Sequence, residues 1–156
     1  MEPASEGPAG ADRIAFLFSA TGRDPADVSK CASGGELSRI MLSLKAMMAR
    51  FAGMPTLVFD EIDTGVSGSV ADKMGRMICE MGRDMQVLSI THLPQVAAKG
   101  DAHFVVSKHI TPDGRAVSSI REVQGEERTM EIARLLSGAT ITPAAVQNAR
   151  ELLSGK

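Results

Sequence analysis

The sequence predicts an α/β fold in which helices flank a mostly parallel sheet, with a hairpin at one edge. Short apolar runs alternate with longer segments whose apolar residues recur every three or four positions, the pattern of strands alternating with amphipathic helices. The run Thr56–Phe59 has the length and composition of a buried parallel strand. Farther along, Thr111-Pro112-Asp113-Gly114 separates two alternating runs and predicts a hairpin turn, because proline pre-sets φ and glycine tolerates positive φ.

The N-terminal region is less regular. Residues 1–11 are rich in Pro, Gly, Ala and Ser and show no periodicity, so we expect a flexible tail or an artificial junction there. Residues 12–156 are then expected to form a single domain. Within it, the apolar run Ile14–Phe18 predicts a strand, and Ser19–Cys31, which contains glycine and proline, predicts a loop.

The strongest helix prediction covers Gly35–Ala52. Its apolar residues fall on one face, and Gly53 and Pro55 mark its end. The remaining predicted elements are a helix at Ser67–Met85, a strand at Gln86–Thr91, a helical turn at Pro94–Lys99, hairpin strands at Ala102–Ile110 and Arg115–Val123, and helices at Glu126–Leu136 and Pro143–Leu153.

Composition excludes several classes of function. The 156 residues include only 3% aromatic residues and no Trp or Tyr, which argues against a base-stacking surface for single-stranded nucleic acid. A formal net charge of −2 lacks the basic footprint of an autonomous DNA-binding domain. Two cysteines without metal-ligand spacing suit a reducing cytoplasm, and no apolar run approaches the roughly 20 residues that span a bilayer. We therefore expect a soluble intracellular domain.

Two adjacent acids, Asp60 and Glu61, follow the predicted strand Thr56–Phe59. The carboxyl edge of a parallel sheet is where α/β proteins bind ligands. A carboxylate such as Asp60 suits a magnesium ion, and Glu61 suits the orientation and deprotonation of a water. The alternative is that both acids only cap or solvate the following loop.

A second candidate site lies where the helix Gly35–Ala52 begins. Gly34 and Gly35 allow a phosphate to approach the backbone, the helix N-terminus offers free N–H groups, and Ser33 adds a hydroxyl. The same residues also fit an ordinary capping box, with Ser33 as the N-cap and Glu36 three residues later. The two interpretations are compatible, since both use the same N–H groups.

His92 directly follows the predicted strand Gln86–Thr91 and should lie at the same sheet edge as the two acids. It can contact a phosphate oxygen, although a lone histidine here is more often structural. The loop after the acids contains Asp63, and a two-metal phosphoesterase using Asp60, Glu61 and Asp63 is an alternative chemistry.

No P-loop is present, because its Gly-x-x-x-x-Gly-Lys pattern needs a Gly-Lys pair followed by Ser or Thr, and the only such pair is Gly155-Lys156. The methionines at positions 74, 77, 81 and 85 lie along one predicted helix and the turn after it. They suit either an interface or, as we favour, the core.

Taken in order, these signals resemble the C-terminal half of an ABC-type ATPase head of the SMC class, and in particular the RecN family of bacterial DNA repair proteins. The resemblance runs from about Ile14 to Leu153. Its most specific pieces are Phe16-Leu17-Phe18-Ser19-Ala20, Ala32-Ser33-Gly34-Gly35-Glu36-Leu37-Ser38-Arg39, Val58-Phe59-Asp60-Glu61-Ile62-Asp63-Thr64-Gly65-Val66-Ser67-Gly68, Thr91-His92-Leu93-Pro94-Gln95-Val96-Ala97 and Glu131-Ile132-Ala133-Arg134-Leu135-Leu136-Ser137-Gly138.

The resemblance implies a role for each candidate residue. Asp60 matches the Walker B acid that holds Mg²⁺, Glu61 the catalytic glutamate, and His92 the switch histidine at the γ-phosphate. Ser67 belongs to the loop at the dimer interface. The signature motif, which reaches ATP bound to the partner head of a dimer, is matched by Ser33, Gly34, Gly35 and Glu36.

For the complete protein, the resemblance implies ATP hydrolysis in a head homodimer during recombinational repair of DNA double-strand breaks, in the cytoplasm at the nucleoid. DNA would be bound by the full-length protein, with no membrane involved. The family's P-loop lobe and coiled coil are absent here, so we expect the isolated chain to be inactive. Two alternatives to an ATPase head remain. One is the two-metal phosphoesterase, and the other is a non-catalytic, head-like interaction module.

Overall fold

A computed structural model describes residues 2–8, 10–13, 15–19, 22–28 and 34–155. Over this part of the chain, strands and helices follow one another as β1 Glu2–Gly7, β2 Gly10–Arg13, β3 Leu17–Phe18, β4 Ala26–Asp27, α1 Gly34–Ala52, β5 Thr56–Asp60, α2 Gly68–Met81, β6 Gln86–Ile90, α3 Pro94–Ala97, β7 Phe104–Ile110, β8 Ala116–Glu122, α4 Gly125–Ser137 and α5 Pro143–Ser154. The predicted α/β class is confirmed.

In the described part of the chain, the strands form two-stranded sheets. β5 and β6 are parallel and in register from Thr56 opposite Gln86 to Asp60 opposite Ile90. The predicted hairpin is present as β7 and β8, and its turn closes with hydrogen bonds from the Thr111 amide to the Arg115 carbonyl (2.9 Å) and from the Gly114 amide to the Thr111 carbonyl (2.8 Å). Among the described residues, this hairpin forms its own sheet and is not hydrogen-bonded to the parallel pair.

The N-terminal residues differ from the prediction. At the described positions of the expected tail, β1 pairs with β2 in an antiparallel hairpin. Backbone pairing needs no apolar periodicity, and Gly10 has a φ of +106°, which a side chain would disfavour. The predicted loop Ser19–Cys31 also contains a short strand, since β4 pairs with β3. Ile14 and residues 29–33 lie outside the described part of the chain.

The helix boundaries follow from local chemistry. α1 ends where Gly53 adopts a φ of +60°, as its sequence predicts. α2 ends at Met81, four residues before the predicted end, because Gly82 interrupts it. The Arg83 and Asp84 amides then bond to carbonyls three residues back, at 3.2 and 3.1 Å, which tightens the chain into a turn.

Two apolar clusters form the core. The first surrounds the fully buried Phe59 on β5 and includes Leu42 of α1, Met74 and Met81 of α2, and Val96 of α3. The second packs α4 and α5 together through Ile132, Ala133, Ala145 and Ala149. The favoured core assignment holds for Met74, Met81 and Met85, while Met77 is at the surface.

A buried lysine connects these two regions. Lys99, just after α3, is 4% exposed, and its ammonium donates to the Gly155 carbonyl at 2.7 Å and lies 3.3 Å from an Asp72 carboxylate oxygen. The hydrogen bond from Arg76, together with Lys99, holds the pKa of Asp72 below its usual value. The last helix is thereby tied to α2, which flanks the parallel strands.

One face of the parallel pair is left uncovered by the described residues. Side chains alternate along each strand, and Leu57, Phe59 and Val87 point into the first cluster. On the opposite face Val58, Leu88 and Ile90 are 54%, 47% and 55% exposed.

Candidate functional site

The two acids lie where the sequence places them, at the carboxyl end of the parallel pair. Asp60 is the last residue of β5, paired with Ile90 of β6, and Glu61 follows it; both acidic side chains are exposed. The Glu61 amide continues the ladder by donating to the Ile90 carbonyl at 3.2 Å. Carboxylate oxygens at this edge are therefore open to a ligand or a cation.

Glu61 has an unusual backbone conformation that the sequence does not reveal. Its φ is +46°, in the left-handed region that side-chain-bearing residues seldom adopt. The Thr64 hydroxyl donates to the Glu61 carbonyl at 2.9 Å, and the Thr64 amide does so at 3.3 Å. These bonds and the ladder bond to Ile90 hold Glu61 in a strained geometry, which is characteristic of functional sites.

Asp63, two residues after Glu61, is buried, whereas Asp60 and Glu61 are exposed. It is 2% exposed, and one carboxylate oxygen accepts a hydrogen bond from the Thr91 hydroxyl at the end of β6. Among the described residues, no group of three or more His, Cys, Asp or Glu side chains is arranged to hold a metal ion. The two-metal alternative built on Asp60, Glu61 and Asp63 therefore has no structural support.

His92 lies at the predicted edge, directly after β6. Its side chain is 65% exposed, and its Nδ1 is 4.0 Å from the Oδ1 atom of Asp63. The structure thus brings the loop after the acids next to the histidine, although Asp63 and His92 are 29 residues apart in sequence.

The segment that matches the signature motif contacts the loop that follows the two acids. α1 begins at Gly34, and a β-carbon built on Gly35 would lie 3.0 Å from the Gly65 carbonyl oxygen. Glu36 is half-buried in the first turn, and the Arg39 guanidinium donates to the Gly35 carbonyl at 3.2 Å. The contact explains why glycine occupies position 35. Ser33 lies outside the described residues, so neither its phosphate-binding role nor its capping role is tested.

Ser67 stands at the N-cap position of α2 with an extended backbone, φ −155° and ψ 168°. Its hydroxyl makes no capping hydrogen bond, and the residue is exposed. An exposed hydroxyl at this position can be reached by a ligand or by a partner surface.

Comparison with known proteins identifies relatives of this chain. No model of a protein family matches the chain. The DNA repair protein RecN of Xylella fastidiosa (strain 9a5c) is 46% identical over 147 residues, 94% of this chain. RecN of Bacillus subtilis (strain 168) is 41% identical over 145 residues, 92% of this chain. The chain is a homologue of RecN.

This homologue spans about a quarter of the length of the RecN proteins it matches, 26% and 25% respectively. Among solved structures, it resembles the Smc head domain with a coiled coil and joint from Pyrococcus yayanosii. The TM-score is 0.67 and the identity 24%, over 85% of this chain and 25% of that one. At that identity the likeness concerns the fold, which is that of an SMC-type head lobe.

Sequence reasoning missed three features of this RecN homologue's site. It did not single out Thr91, it considered Asp63 only as a metal ligand or as part of the interface loop, and it did not detect the backbone strain at Glu61. The run Asp60-Glu61-Ile62-Asp63 is visible in the sequence, but only the folded loop shows which acids are exposed and which is buried. No helix in the described part of the chain is long and apolar enough to cross a membrane.

Proposed function

We propose that this chain is the C-terminal lobe of a RecN-like, SMC-type ATPase head that binds and hydrolyses ATP in a head dimer during recombinational repair of DNA double-strand breaks. The observation that carries the proposal is the shared edge of the parallel pair. There the exposed Asp60 and Glu61 end one strand, and His92 follows the other. The RecN homology supports the repair context, and we place the activity in the cytoplasm at the nucleoid.

Each residue at this edge has a distinct proposed task. Glu61 orients the attacking water and accepts its proton, which requires an exposed carboxylate held in one place. His92 contacts the γ-phosphate. Asp60 fits as a ligand of Mg²⁺ because its carboxylate is exposed at the strand end, and the bound ion supplies neutralisation of phosphate charge.

The start of α1 supplies the second contact with nucleotide. A helix N-terminus presents backbone N–H groups to an anion, and the helix dipole favours one. In the proposed dimer, Ser33, Gly34, Gly35 and Glu36 approach ATP bound to the partner head, and Ser67 lies along the interface. Because ATP is then held by both heads, its binding stabilises the dimer and its hydrolysis releases it.

The uncovered sheet face supports a second lobe. Parallel sheets are normally covered on both faces, whereas Val58, Leu88 and Ile90 are about half exposed here. We assign this face to the P-loop lobe of the head. The isolated chain is then inactive, because it has no Walker A loop to cradle ATP. DNA binding belongs to the full-length homodimer.

The test is ATP hydrolysis by a complete protein containing this lobe, with and without Glu61→Gln. We expect turnover to fall by roughly 100-fold or more, the contribution of a positioned general base. Glu80→Gln on the exposed surface of α2 is the matched control and should change turnover less than about two-fold. Unchanged turnover in Glu61→Gln, or Glu61-dependent phosphate release by the isolated chain, would contradict the proposal.

A further inference from the structure

One buried carboxylate oxygen of Asp63 lacks a hydrogen-bond partner in the part of the chain that the structure describes. Oδ2 accepts from the Thr91 hydroxyl, which itself accepts a hydrogen bond from the Leu93 amide at 3.0 Å. Oδ1 is also buried but has no hydrogen-bond partner among the described residues. An unpaired carboxylate oxygen in the interior is costly, so a donor is expected to reach it.

The imidazole of His92 approaches that oxygen and can donate to it. Its Nδ1 lies 4.0 Å from Oδ1. This separation is too long for a hydrogen bond, but a movement of about 1 Å would bring the two atoms within hydrogen-bonding distance. The His92 side chain is 65% exposed, so it has room to turn. Hydrogen bonds at catalytic sites are often long before a ligand is bound and shorten afterwards.

We propose that Asp63 is a positioning residue for His92. In this arrangement Oδ1 accepts a hydrogen bond from Nδ1–H, which fixes both the tautomer and the orientation of the ring. Nε2 is then the ring nitrogen left for a ligand. It is an acceptor when the imidazole is neutral and an N–H donor to a phosphate oxygen when the imidazole is protonated.

Asp63 would also couple the two halves of the site. It belongs to the same loop as Glu61, whose amide is bonded to the Ile90 carbonyl, and it binds Thr91, the neighbour of His92. A buried carboxylate that bridges these segments holds the proposed general base and the proposed phosphate contact as one unit. The same logic governs a carboxylate that orients a catalytic histidine through Nδ1. The phosphate contact rests on the function proposed above, whereas the tautomer does not.

The tautomer can be read directly by long-range ¹H–¹⁵N NMR of the ¹⁵N-labelled chain at pH 8, where no ATP or second lobe is needed. His92→Gln assigns the signal. We expect a pyrrole-type Nδ1 and a pyridine-type Nε2 for His92. In Asp63→Asn the side-chain amide can donate to Nδ1, so the pattern should shift toward the Nε2–H tautomer. The exposed His109 is the internal control and should not change.

A wild-type His92 in the Nε2–H form would overturn the proposal, as would the same tautomer in the wild type and Asp63→Asn. If Asp63→Asn does not fold, the wild-type spectrum still tests the proposal, because it reports the tautomer of His92. The ATPase test is separate. Loss of turnover in Glu61→Gln together with an Nε2–H His92 would reject only the positioning role. Unchanged turnover in Glu61→Gln together with an Nδ1–H His92 would reject only the ATPase function.

Discussion

Gly35, in the first turn of α1, packs directly against Gly65, in the loop that follows the two exposed acids. A β-carbon at position 35 would approach the Gly65 carbonyl oxygen to 3.0 Å, and Gly65 itself has a φ of +76°. The two segments are 30 residues apart in sequence. Their contact places the proposed signature motif beside the loop that carries Glu61 and Asp63.

Gly35→Ala should therefore lower the free energy of unfolding by about 1 kcal/mol, because the added methyl group overpacks against a backbone oxygen that cannot rotate away. This loss is expected to exceed the helix-propensity gain of alanine over glycine. The measurement is urea unfolding followed by circular dichroism. Lys45→Ala, at an exposed position of α1, is the control and should stay within about 0.5 kcal/mol of wild type. A Gly35→Ala variant as stable as wild type would show that the contact is not tight.

The strained backbone of Glu61 makes a second prediction. A residue with a side chain pays about 1–2 kcal/mol in the left-handed region, and glycine avoids this cost. Glu61→Gly should be more stable than Glu61→Ala by about 1 kcal/mol, after allowance for the greater entropy of glycine in the unfolded chain. Unfolding of the two variants in urea measures the difference. Equal stabilities would mean that φ of residue 61 is not positive in solution.

His103, which starts the segment leading into β7, should make stability depend on pH. Burial lowers the pKa of its imidazole, and the charge of Arg128 lowers it further, against a weaker opposing effect of Glu131. The unfolded chain then binds a proton at a higher pH than the folded chain does. Stability should accordingly fall as pH drops below the ordinary histidine pKa of about 6.5.

Unfolding in urea at pH 7.5 and 5.5 checks this expectation. His103→Gln should lose less stability than wild type over that interval, because it removes the group that gains a proton on unfolding. His109→Gln, at an exposed position of the same hairpin, should behave like wild type. An unchanged pH dependence in His103→Gln would locate the effect in another group.

The two faces of β6 should respond differently to truncation. Val87 packs against the first apolar cluster, whereas Leu88 is 47% exposed on the uncovered face. In this chain Val87→Ala should cost about 2 kcal/mol and Leu88→Ala less than about 0.5 kcal/mol. In a complete head, where the P-loop lobe covers this face, Leu88→Ala should become the costlier of the two. A small effect of Leu88→Ala in both contexts would argue that the face stays exposed.

Much of the local structure is predictable from the sequence by itself. The amphipathic period of α1, the glycine that ends it and the Pro-Asp-Gly turn of the hairpin all depend on neighbouring residues. The same is true of α5, where Thr142 caps the helix by accepting from the Ala145 amide at 3.2 Å and Pro143 occupies the first turn. Such features are encoded within a few positions and need no tertiary context.

Other features arise only when distant segments meet. The strand pairing at the N-terminus depends on backbone hydrogen bonds, which leave no apolar pattern to detect. The burial of Asp63 beside an exposed Glu61 is set by how one loop packs against Thr91 and His92. The sequence alone determined which residue types end the two parallel strands. The tertiary structure decided which of them face solvent and which are held inside, because burial is a property of packing and not of local sequence.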